Sequence, residues 1–73
     1  MKALIVEDEI LAQEELARIL KKHSPDIVIA GITGSVRDSA EWLRKNTADL
    51  IFMDIQLSDG YCFDIFRIIG TSA

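Results

Sequence analysis

Three carboxylates stand where a cation site would put them. Glu7 and Asp8 directly follow the apolar run Ala3-Leu4-Ile5-Val6, and Asp54 directly follows Leu50-Ile51-Phe52-Met53. If the two runs are adjacent parallel strands, all three acids open into one crevice, because ligands of open parallel sheets bind just beyond the carboxyl ends of the strands. Acids gathered in this way repel one another, and a hard divalent cation relieves the repulsion. Magnesium suits carboxylate and carbonyl oxygens and keeps several of its waters. Glu9 has a simpler reading as an acid at the start of a helix, favoured by the helix dipole. Asp54 does not, since Ile55 follows it and a helix start comes only near Asp59-Gly60. A carboxylate there must be solvated in a crevice or paired.

The elements that position these acids follow from two alternating periods. Strands are expected at 3–6, 27–32 and 50–53, each a short run rich in strand formers and apolar at nearly every position. Such runs suit strands covered on both faces. Helices are expected at 10–22, 36–45 and 61–69. In the first, Ala12, Leu16, Ile19, Leu20 and His23 share one face, and Ser24-Pro25 ends it because the residue before proline avoids the helical region. In the second, Ser35 is an N-cap with Asp38 three residues on, and Asn46 is a C-cap. Val36, Ala40 and Leu43 repeat on its inner face, with Trp42 half-buried beside them. In the third, Phe63, Phe66 and Ile69 share a face with Ile65 alongside, and Gly70 ends it. Alternation of this kind implies right-handed crossovers and a parallel sheet, here in the order 2-1-3.

Composition narrows the function. Eight basic and twelve acidic residues leave a net charge of −4, which argues against nucleic-acid binding by this segment, since that needs a basic patch. No apolar run approaches the roughly 18 residues of a membrane span. The single cysteine, Cys62, excludes an internal disulfide and fits a reducing cytoplasm. Its place beside Phe63 reads as a small core-edge residue, and His23 reads as a charge at a helix C-terminus. Gly31 and Gly34 match no phosphate-cradling pattern.

The segment Leu4-Ile5-Val6-Glu7-Asp8-Glu9, with Asp49-Leu50-Ile51-Phe52-Met53-Asp54-Ile55-Gln56-Leu57-Ser58-Asp59-Gly60, resembles the receiver domain of bacterial two-component response regulators. The wording around Asp54 is most similar to regulators of the LytTR type. The resemblance covers residues 2 to about 69 and rests on two motifs at the family's separation. It implies a flavodoxin-like α/β fold, of which this chain would supply the N-terminal (βα)3 portion. It also implies that Asp54 is the phosphoacceptor, that Asp8 binds magnesium directly and Glu7 through water, and that the backbone carbonyl of Gln56 is a further ligand. Gly60 would permit the tight turn after the acceptor loop. The partner implied is a sensor histidine kinase, and the domain is a signalling module rather than an enzyme.

The family pattern continues with a fourth strand ending in Ser or Thr and a fifth ending in Lys. No lysine follows Lys45. Ser72 is a possible switch hydroxyl, although the interval from Gly60 is short for a further helix and strand. Residues 1–73 are therefore expected to be a partial receiver domain without an output domain, with phosphorylation impaired. Two other functions compete. A phosphohydrolase of the haloacid-dehalogenase type also uses a strand-end aspartate, but it needs a second aspartate two residues on, where Gln56 cannot act as general acid. A non-phosphorylated interaction or dimerisation module is the other. An uncovered third strand and third helix would favour self-association.

Overall fold

A computed structural model of the chain describes residues 1–70; Ser72 lies outside the described residues. The elements run β1 (Lys2–Val6), α1 (Ile10–His23), β2 (Val28–Thr33), α2 (Val36–Lys45), β3 (Leu50–Met53), β4 (Gln56–Leu57), β5 (Gly60–Tyr61) and α3 (Phe63–Ile69). The sheet order is β2-β1-β3 with both pairings parallel, as alternation and crossover handedness require. Strand β1 is central, and Ala3, Leu4, Ile5 and Val6 are all 0% exposed. Among the described residues β2 and β3 are edges. They do not share the full cover expected of continuous apolar runs: Val28 and Ile32 are exposed, and every residue of β3 is only half-buried.

Alternation along β1 divides the two faces. Leu4 and Val6 point toward α2 and α3, where they join Val36, Ala40, Leu57 and Ile65 in the core. On the opposite face Leu16 of α1 lines a crevice with Phe52. The pairing of β1 with β2 shifts after Ala3, from Ala3↔Ile29 to Leu4↔Gly31, so Ala30 is the extra residue of a bulge. Glycine is needed at Gly31 because a Cβ there would meet the Trp42 indole Nε1 at 2.5 Å.

Helix α2 is built as the pattern requires. The Ser35 hydroxyl accepts from the Asp38 amide at 3.0 Å, and Asn46 closes the other end through its amide to the Trp42 carbonyl at 2.9 Å. Buried Ser39 is satisfied by the Ser35 carbonyl and by Thr33, each at 2.6 Å.

Four expectations are corrected. The face of α1 is turned: Leu20 is buried with Ala12, Gln13, Leu16 and Ala17 beside it, while Ile19 and His23 are exposed. Gln13 turns inward to donate to the Glu7 carbonyl at 2.5 Å, a polar contact that an apolar stripe does not register. Strand β2 sits one residue later than expected. Helix α3 begins at Phe63 instead of residue 61, because Gly60–Tyr61 pairs back on Gln56–Leu57 as an antiparallel hairpin. The phase of α3 also differs: Ile65 is its buried residue at 0% exposure, and Phe63 is 68% exposed.

Candidate metal and phosphoacceptor site

Register brings the acids together. Val6 pairs with Met53, so Glu7 and Asp54 are the next residues out on neighbouring strands. The Asp54 amide donates to the Val6 carbonyl and the Glu7 amide to the Thr33 carbonyl, each at 2.9 Å. These bonds carry the sheet ladder up to the acids and fix their backbones. Asp8 follows where the chain leaves the sheet for α1. One carboxylate oxygen from each of Glu7, Asp8 and Asp54 lies within 4.8 Å of the others. Glu9 is the N-cap residue of α1, and its amide donates to a Glu7 carboxylate oxygen at 3.2 Å.

Desolvation pushes the Glu7 carboxyl above its ordinary range. The hydrogen bond from Glu9 opposes the shift, and the nearby Asp54 and Asp8 add to it. A half-buried acid against two others is the electrostatic situation that a bound cation reverses. The donor set consists of acceptor-only oxygens carrying like charge, which fits a hard divalent ion and not a soft one. The crevice is lined by Val6, Glu7, Leu16, Phe52, Met53 and Asp54.

Gln56 lies two residues beyond Asp54, in the hairpin. The Cys62 amide donates to the Ile55 carbonyl at 2.9 Å, so the next pair, Gln56↔Tyr61, falls at a non-hydrogen-bonded position of the antiparallel ladder. Its carbonyl is thereby left outside the ladder. Gly60 sits at φ 149°, a backbone conformation that side chains resist. A Cβ there would also lie 2.8 Å from the Asp64 carboxylate. Asp64 accepts from the Tyr61 amide at 3.1 Å and pairs with Arg67. The Tyr61 amide, and after it Arg67, hold the Asp64 carboxyl below its usual range.

Two residues that matter here escape pattern reading. Gln13 holds the Glu7 carbonyl, and Asp59 accepts from the amides of Val36 and Arg37 at 2.7 and 3.1 Å. Asp-Gly signals a turn, but nothing local tells that the carboxylate reaches a helix more than twenty residues back.

A parallel sheet of order 2-1-3 with helices alternating between its strands, and acids gathered beyond the ends of β1 and β3, defines an α/β domain of the flavodoxin-like class. The chain belongs to the response regulator receiver family: the family model described as "Response regulator receiver domain" matches residues 3–73. It is 42% identical over 69 residues to the sensory transduction protein LytT of Bacillus anthracis, covering 94% of this chain and 28% of that protein. It is 44% identical over 57 residues to the transcriptional regulatory protein YpdB of Escherichia coli K12, covering 78% of this chain and 23% of that protein. Protein MrkE of Klebsiella pneumoniae is 42% identical over 57 residues, covering 78% of this chain and 21% of that protein. The chain thus spans about a quarter of the length of the curated relatives it matches. No solved structure matches it. Among the described residues, no helix is long and apolar enough to cross a membrane.

Proposed function

We propose that residues 1–73 carry the first three βα units of a receiver in which Asp54 accepts a phosphoryl group from the phosphohistidine of a sensor kinase. The observation that carries this reading is the convergence of Glu7, Asp8 and Asp54 at the ends of adjacent parallel strands. Asp8, Asp54 and the Gln56 carbonyl are assigned as direct magnesium ligands, with Glu7 acting through water. Bound magnesium would neutralise charge on the transferring phosphoryl oxygens. The chain's own part is positioning. The amide–carbonyl bond of Asp54 to Val6 holds the acceptor at the mouth of the crevice. A carboxylate oxygen of Asp54 forms the new bond to phosphorus as the donor's nitrogen–phosphorus bond breaks, and the leaving imidazole takes its proton from water.

Acetyl phosphate with magnesium, followed by intact-mass and peptide mapping, tests the reading. The expected product is a minor adduct on Asp54 that requires magnesium and decays once donor is removed. A phosphoryl group adds about −1.5 to −2 charges beside Glu7 and Asp8. Labelling at another residue, or labelling without magnesium, would contradict it.

A second reading, a module that associates without turning over phosphate, has its own support. Among the described residues β3 pairs with β1 alone, while Phe63 and Ile68 of α3 are exposed. Two copies meeting along β3 and α3 would pair the free edge and cover these side chains, and a two-fold contact is the commonest arrangement. The expected result is a dimer in sedimentation at micromolar concentration. Phe52→Lys should break it, and Phe63→Glu, at an exposed site, should break it without unfolding the chain. A cooperatively melting monomer of the unmodified chain would refute the contact. The acidic balance and the single buried Cys62 support a cytoplasmic role with protein partners rather than nucleic acid.

A further inference from the structure

The first turn of α2 leaves amides with no partner inside the helix. The Ser35 hydroxyl, the local cap, takes only that of Asp38. The amides of Val36 and Arg37 are taken instead by the two carboxylate oxygens of Asp59, at 2.7 and 3.1 Å. A negative charge at this end also suits the helix dipole. These two bonds, that to Val36 foremost, hold the Asp59 carboxyl below its ordinary range.

Asp59 lies in the hairpin that follows the acceptor aspartate. Few other contacts hold the hairpin, and one is the bond that its Tyr61 amide donates to Asp64 of α3 at 3.1 Å. Its strands are two residues each, its outer bond joins Cys62 to Ile55, and Leu57 is the side chain it sends into the core at 4% exposure. Among the described residues, the Asp59 pair is the one hydrogen-bonded tie between the hairpin and α2. Because two oxygens meet two successive amides, the tie fixes direction as well as distance.

We infer that Asp59 is a positioning residue: by capping α2 across the fold it clamps the hairpin, and so sets where Asp54 and the Gln56 carbonyl stand in the crevice. The consequence at the crevice rests on the proposed cation site, whereas the clamp itself does not. Neither ligand touches Asp59. It acts through Leu57 and Ser58, the two residues that separate it from Gln56. The clamp also links two parts of the chain that the site needs in register, since α2 packs on Leu4 and Val6 of the strand that carries Glu7 and Asp8.

The test compares Asp59→Ala, Asp59→Asn and Ser35→Ala in the full 73-residue chain, by amide hydrogen exchange and by titration with magnesium chloride alone. Ser35→Ala removes the other cap of the same helix and leaves the hairpin untouched, so it controls for loss of helix stability. In Asp59→Ala, exchange at the amides of Val36, Arg37 and Cys62 is expected to quicken about tenfold as the hairpin opens locally. Magnesium affinity should fall about tenfold, the low end of what losing an outer support costs a metal site. Asp59→Asn, with one oxygen in place of two, should fall between, and it supplies the answer if the alanine variant does not fold. Ser35→Ala should quicken exchange at Asp38 while leaving the Cys62 amide and magnesium affinity as they were. Unchanged Cys62 exchange in both Asp59 variants overturns the clamp. So does an equal loss of magnesium affinity in Ser35→Ala. A wild-type chain that binds no magnesium overturns the site reading instead, and the clamp is then decided by the Cys62 amide.

Discussion

Asp54→Asn is expected to stabilise the chain in the absence of magnesium and to abolish its stabilisation by magnesium. The two effects have one cause. Oxygens of Glu7, Asp8 and Asp54 lie within 4.8 Å of one another, and removing one charge relieves repulsion on the order of 1 kcal/mol at high effective dielectric. The raised pKa of Glu7, set first by its desolvation and further by Asp54 and Asp8, shows the same strain from the side of its neighbour. With magnesium the balance inverts. A ligand present at ten times its Kd adds about 1.4 kcal/mol to a fold that alone binds it, which for a domain of this size moves Tm by about 5–10 °C. The asparagine variant loses that gain, so the melting curves of the two proteins exchange order as magnesium is added. Asp8→Asn should behave alike, and Glu9→Gln, outside the cluster, should not. Thermal melts with and without magnesium read the exchange directly. If Asp54→Asn lowers Tm in both conditions, Asp54 is a structural acid. If the magnesium-induced shift survives in it, the cation binds elsewhere.

The acids of the site were legible because their positions follow from short-range regularities. β1 and β3 announce themselves as apolar runs, the residue after each run must leave the sheet, and right-handed crossovers make the two strands neighbours. Strand order and the convergence of Glu7, Asp8 and Asp54 then come together. Helix α2 was legible to its ends for a similar reason, since Ser35 and Asn46 cap it from within a few residues. The hairpin at Gln56–Tyr61 was not, because strands of two residues have no period to detect. Gln13 and Asp59 were missed for a different reason. Each is a polar side chain whose partner is a backbone group on another element, and neither hydrophobic pattern nor local turn chemistry reports such a bond. Their consequences are also the ones that turned α1 and anchored the loop after Asp54.

Helix α3 shows what a short helix conceals. Over seven residues, Phe63–Ile69, more than one phase of the apolar pattern is possible, and the stripe of Phe63, Phe66 and Ile69 is as regular as one centred on Ile65. Exposure decides between them: Ile65 is 0% exposed and Phe63 68%. Ile65→Ala is therefore expected to be the costlier change although it removes the smaller side chain. It opens a cavity among Leu4, Val6, Val36, Ala40 and Leu57, a class of substitution that costs about 2–5 kcal/mol. A chain of this length holds only about 4–11 kcal/mol in total, at 0.05–0.15 kcal/mol per residue. The variant should lose from about a fifth to all of its stability, read as a fall in urea midpoint at constant slope. Phe63→Ala, at an exposed site, should stay within about 0.5 kcal/mol of the parent, provided both are unfolded at concentrations too low for copies to associate. Leu57 of the hairpin after Asp54 packs in the same core as Ile65, so Ile65→Ala should also weaken magnesium binding at the proposed site, whereas Phe63→Ala should not. Equal losses from the two substitutions would place both residues in the core, and the phase of α3, with the support it lends to the hairpin, would have to be redrawn.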